Sequence, residues 1–159
     1  MAKAETYDWG KFSGWAEFVA DNTWSLPNSV IASLFNTGYV IAGKEVDATL
    51  SKGTGQLVYT KGFSSDYATT FGNVTVGREP HVHEAFHATQ ARIFGPLFYP
   101  SVLANYVVAT ILPYWLLYHD TRYPGKPIDS FGAYFTRGVY PHVWAEDWAY
   151  KFDPHSSPL

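Results

Sequence analysis

Apolar positions recur along this chain at two periods, and each stretch predicts an element. Trp9, Phe12, Trp15, Phe18 and Val19 return every three or four residues, which predicts an amphipathic helix within Met1–Pro27 lying on a surface or a core. Past Pro27 a second helix is expected over Asn28–Ala42, with Asn28 or Ser29 as its cap. Val46–Val76 reads as β structure: Glu45–Leu50 and Gln56–Thr60 flank the glycine-containing loop Ser51–Gly55 as a hairpin, and Asn73–Val76 adds a third short strand. Pro80 suits a first helical turn, and the glycine-free run His81–Phe94, stopped by Gly95-Pro96, predicts a helix. Helix resumes near Ser101 and breaks at Tyr123-Pro124-Gly125-Lys126-Pro127. It closes in Trp144–Phe152, where Trp144, Ala145, Trp148 and Ala149 recur at helical spacing to bury one face. The tail from Asp153 to Pro158 is expected to be disordered unless a partner pins it. The fold class expected is α+β, mostly helical, with a small antiparallel β hairpin or sheet preceding the helix that starts near Pro80.

That helix carries the chemistry. His83-Glu84-Ala85-Phe86-His87 is an H-E-x-x-H pattern. Residues four apart share a helix face, so both imidazoles reach one metal ion while Glu84 leans toward a water on it. Glu79 and Glu84 place negative charge near the positive end of the helix dipole. Gln90 lies three residues past His87 on the same face. It is either a residue that orients a ligand or substrate, or a polar residue on a solvated face.

A zinc site with an open position for water needs a third protein ligand. Glu146, on the edge of the Trp144–Phe152 helix, is the first choice, with Asp147, His142, His119 and His81 as rivals. With zinc so held, Glu84 would act as general base in a hydrolysis, and Tyr140 or His142 would donate to the oxyanion that develops, unless both simply pack or cap the last helix. A strand leading into the motif helix would offer an edge for an extended peptide.

The block His83–Pro100 resembles the core of a group of small prokaryotic, membrane-associated, zincin-like proteins, whose helix reads H-E-x-G-H-x-x-Q-S and is followed by L-G-P-L-Y. Phe71–Gly77 resembles the short glycine-containing strand those proteins carry before the helix. Glu146-Asp147-Trp148-Ala149-Tyr150 resembles their late E-x-W-A-D element. The resemblance runs in order over roughly residues 30–152, with only the helix block specific, and implies a metallopeptidase-like domain and a peptide substrate. Three positions depart from the family pattern: Phe86 stands for its glycine, Ala91 for its serine, and Tyr150 for the acid that would buttress a metal-binding histidine.

Composition narrows the picture. At 159 residues and 47% hydrophobic, the chain is sized for one good core. A net charge of −3 with scattered basic residues leaves no footprint for nucleic acid. Without cysteine, any zinc must be held by nitrogen and oxygen. The N-terminus, Met1-Ala2-Lys3-Ala4-Glu5, does not read as a secretory signal.

Ile93–Tyr118 is a run of 26 residues without a formal charge, bracketed by Arg92 and His119-Asp120 and long enough to cross a hydrocarbon layer. Pro96, Pro100 and Pro113 fit a re-entrant segment as well as a full span, and Val102–Tyr118 also fits a buried core helix. A second uncharged run, Asn22–Gly43, is polar in places. Tyr99, Tyr106, Tyr114, Trp115 and Tyr118 suit an interfacial belt or a packed protein interface. Two functions follow: a membrane-associated zinc-dependent hydrolase, or a non-catalytic accessory subunit of a larger membrane protein complex that retains the metal site or only its motif.

Overall fold

A computed structural model describes residues 1–60, 68–77, 82–117 and 128–153. The expectations placed on Glu79, Pro80, His81, Tyr118, His119, Asp120, the turn at residues 123–127 and the tail beyond Asp153 lie outside the described residues. The architecture is α+β and mostly helical, with one small mixed sheet. The chain divides into two compact units, Met1–Phe98 and Tyr99–Leu159.

In the first unit, a 3-10 turn at Lys3–Thr6 leads to helix α1, Phe12–Asn22, and helix α2, Leu26–Ile41. Helix α2 opens earlier than its expected caps. Pro27 occupies its first turn, and Ser25 precedes it without a side-chain cap bond. Asn28 and Ser25 are buried and serve another helix. Ser25 Oγ donates to Ala91 O at 2.9 Å, and Asn28 Nδ2 donates to Ala91 O at 2.9 Å and Gly95 O at 2.8 Å. Ala91 O belongs to the last turn of helix α4, Val82–Phe94, where carbonyls run out of helical partners, and Gly95 O, just past the helix, also accepts from the Phe98 amide. Trp24 Nε1 adds a bond to Ile93 O at 3.1 Å. Gly95 ends α4 at a φ of 54° with the Trp24 indole packed where a Cβ would stand, so the stop read from Gly95-Pro96 has a conformational and a steric cause.

The strand expected at Glu45–Leu50 is instead one helical turn, α3, Ala48–Ser51. Asp47 caps it, its Oδ1 accepting from the Thr49 and Leu50 amides at 3.0 Å each, and this local bonding outcompetes a ladder. No hairpin forms at Ser51–Gly55. The strands are β1, Leu57–Tyr59, β2, Thr69–Phe71, and β3, Val74–Val76, in the order β1-β3-β2. Strand β1 pairs with β3 in parallel, Val58 opposite Thr75, so the sheet is mixed and not antiparallel throughout. The antiparallel hairpin is β2–β3, with Thr70 opposite Thr75. Its turn needs Gly72, at a φ of 57°, because the Asn28 carbonyl lies where a side chain would begin. Ala32 and Tyr39 of α2 bury against Leu57, Tyr59, Val74 and Val76 to form the core of this unit.

In the second unit, helix α5, Phe98–Ile111, packs Ala109, Val102 and Tyr106 against Val139, Val143, Tyr134 and Phe135. Tyr134, Phe135 and Val139 come from a π-helical stretch, Tyr134–Val139, that continues the short helix α6, Phe131–Ala133, and Val143 lies a few residues further on. Helix α7, Tyr140–His142, and helix α8, Trp144–Phe152, complete the chain. Asn105 Oδ1 caps the entry to α8 by accepting from the Trp144 amide at 2.7 Å. Helix α8 lies where its periodicity places it, but Ala145, Ala149 and Tyr150 are its buried residues, and Trp148 is exposed.

Candidate metal centre

The alanine-rich helix α4 turns its polar face inward. His83, Glu84, His87 and Gln90 are all buried, Gln90 completely. The four-residue spacing brings the imidazoles together, with His83 Nε2 and His87 Nε2 3.1 Å apart. Two nitrogens bound to one tetrahedral zinc at 2.0–2.1 Å stand about 3.3 Å apart, so this pair is close to ligand separation. Gln90 fixes which nitrogen of His87 is offered. Its Oε1 lies 2.8 Å from His87 Nδ1 and accepts from it, which leaves the Nε2 lone pair to face His83. Gln90 therefore does not lie on a solvated helix face.

Glu84 is held from the sheet. Thr70 Oγ1, on β2, donates to Glu84 Oε2 at 2.7 Å and lies 3.2 Å from the Glu84 carbonyl. Behind it, Thr75 Oγ1 on β3 is 2.9 Å from Thr70 Oγ1 and 3.2 Å from Gln56 Oε1. A row of buried and half-buried polar side chains thus runs from Gln56 to the motif glutamate. Nothing in the sequence singled out Thr70, Thr75 or Gln56. Their link to Glu84 is made by the β2–β3 hairpin, whose cross-strand pair Thr70–Thr75 faces α4.

Each of the two imidazoles offers a ring nitrogen, a donor that suits zinc. Glu146 stands half-buried on α8, in the second unit. Asp147 pairs with Lys151 at 2.6 Å one helical turn away. His142 Nδ1 lies 2.6 Å from Gly138 O, its ring stacks on Trp115 with centroids 5.9 Å apart, and its carbonyl accepts from Tyr114 Oη at 2.6 Å. Tyr140 lies beside Tyr106 at a ring separation of 6.4 Å.

A second buried polar cluster braces the far end of α4. Arg92 donates from Nε and Nη2 to the two carboxylate oxygens of Asp21 at 2.9 and 3.0 Å. Asp21 Oδ2 also accepts from Tyr7 Oη at 2.8 Å and Asn73 Nδ2 at 3.0 Å, and Arg92 reaches Gly55 O at 2.6 Å. Burial, reinforced by the adjacent Asp21 carboxylate, pushes the Tyr7 hydroxyl above the ordinary phenol range. Burial likewise raises the Glu17 carboxyl beside this cluster.

Val82–Ile111 is long and apolar enough, by length and composition, to cross a membrane, and only 17% of its most apolar window is buried. No protein-family model matches the sequence, and neither a curated protein nor a solved structure does.

Proposed function

We propose that the protein is a membrane-associated, zinc-dependent hydrolase of the zincin-like kind, acting on a peptide. The observation that supports this best is the buried His83–His87 pair, with Nε2 atoms 3.1 Å apart, beside a buried Glu84. A soluble helix with no ligand to bind gains nothing by burying two imidazoles and a carboxylate on one face. His83, His87 and Glu146 would hold the ion. When bound, zinc supplies Lewis acidity that acidifies a water and polarises a carbonyl.

The chain's own residues do the rest. Gln90 keeps the His87 proton on Nδ1. Thr70 holds one oxygen of Glu84, so that Oε1 takes a proton from water and returns it to the leaving amine. The apolar Val82–Ile111 segment supports a membrane location. The accessory-subunit reading rests on the large apolar residues that stand exposed on α1, α2 and α5.

Elemental analysis of natively purified protein tests the site. We expect about one zinc per chain, lost in both His83→Ala and Glu146→Ala variants of unchanged helicity and retained in Glu84→Gln, which abolishes peptide cleavage. A natively folded protein that binds no zinc when zinc is supplied removes the hydrolase reading. Zinc with no cleavage, in protein recovered only with other chains, favours the accessory subunit.

A further inference from the structure

Helix α2 sets Ala32 and Tyr39 in the core, but it buries polar residues beside them and stands large apolar side chains on its outer face. Its buried positions are Asn28, Ser29, Ala32 and Tyr39, with Ser25 just before them, whereas Leu26, Val30, Leu34, Val40 and Ile41 are exposed, Leu34 at 69% and Ile41 at 81%. A helix on a water-soluble domain shows the reverse pattern. The buried polar residues have their own task, closing the carbonyls of Ala91 and Gly95, so the inversion is not an error of packing.

The exposed face also asks nothing of water. Its hydroxyls bond back to their own helix, Ser33 Oγ to Ser29 O at 2.7 Å and Thr37 Oγ1 to Ser33 O at 2.8 Å. Just before the helix, Thr23 Oγ1 bonds Val19 O at 2.6 Å, and the exposed Trp24 indole donates to Ile93 O. Such back-bonding is the pattern of Ser and Thr on helices in lipid. From Asn22 to Gly43 the chain holds no Asp, Glu, Lys or Arg, and Asp21 and Lys44 bound the run. A protein partner would need a rim of polar groups and roughly one hydrogen bond per 100–200 Å² of contact, whereas the Ser33 and Thr37 hydroxyl protons of this face are already given to their own helix. Hydrocarbon requires none.

We infer that the outer face of α2 is a lipid-contact surface, lying against the acyl chains of a bilayer over about 24 Å of helix. The first turn of α2 is bonded to residues 91–95, the middle of the apolar Val82–Ile111 segment. Helix α2 therefore begins alongside that segment at mid-length. The inference rests on the membrane location proposed above and adds a second contact to it.

The absence of cysteine makes the test clean. Val30→Cys and Leu34→Cys, with Leu103→Cys on α5 and Lys52→Cys as references, are spin-labelled in the full chain and reconstituted into phosphatidylcholine vesicles. Collision rates with oxygen, which concentrates in hydrocarbon, and with a water-soluble nickel chelate are then compared. At positions 30 and 34 the oxygen-to-nickel ratio should exceed that at position 52 by several-fold. A nickel-dominated ratio at 30 and 34 shows water there, and low collision with both shows a protein partner or a second copy. Either overturns the inference. If position 103 keeps a high ratio while 30 and 34 do not, this surface alone is wrong; if 103 is nickel-dominated too, or the protein does not float with vesicles, the membrane location fails with it.

Discussion

Gln90 and Thr70 each hold one side chain of the motif. Gln90→Leu removes the acceptor from His87 Nδ1 and should weaken zinc binding about 10–100-fold, measured by competition with a chromogenic chelator, while Gln90→Glu restores most of it. Thr70→Val should leave zinc content unchanged and lower peptide cleavage by about tenfold or more, because Glu84 loses the hydroxyl that fixes its carboxylate. These residues differ in how legible they were. Gln90 was visible as a same-face neighbour of His87, because helical spacing is local. Thr70 precedes Glu84 by a strand pair and a connecting segment, and only the packing of that hairpin on α4 joins them. Glu146 was the first choice as third ligand and stands half-buried on α8; His81 and His119 lie outside the described residues.

At the scale of elements, α4 depends on what surrounds its ends. Asp21 is 2% exposed, and Asp21→Ala would leave the buried Arg92 guanidinium with only its longer pairing to Glu17 at 3.6 Å, at a cost of about 3 kcal/mol in thermal or denaturant unfolding. Asn28→Ala would strip side-chain donors from the Ala91 and Gly95 carbonyls and cost about 1–3 kcal/mol. The raised Tyr7 hydroxyl gives a pH dependence. Its folded pKa lies above the unfolded value of about 10, so its contribution is complete below about pH 10 and is lost as pH rises from there toward the folded value. Tyr7→Phe should flatten that alkaline loss of stability in a series of melts. Helical elements were readable because their apolar period and their proline and glycine stops are local. The sheet was less so. Asp47 turned an expected strand into a helical turn, and the parallel pairing of β1 with β3 joins segments that no short turn connects.

For the whole molecule, a metal bound only by the folded state should raise the midpoint of thermal unfolding as zinc is added, by about 2.7 kcal/mol of stability at a hundredfold excess over Kd. Chelation should reverse the shift, and His83→Ala should abolish it. The exposed apolar faces, Phe12 at 89% among them, should make the protein partition into detergent. The sequence by itself determined the α+β class, the motif helix, the last helix with Glu146 on it, the absence of a thiolate ligand and the uncharged runs, because each follows from residue type and spacing along one element. It also revealed the aromatic stripe of α1, though not which way the stripe faces. Only the tertiary structure decided that α4 buries His83, Glu84, His87 and Gln90, that α2 leaves Leu26, Val30, Leu34 and Ile41 exposed, that Thr70 reaches Glu84, and that Ser25 and Asn28 close the end of α4. Burial and long-range hydrogen bonds depend on which surfaces meet, and periodicity defines a helix's two faces without saying which of them faces the core.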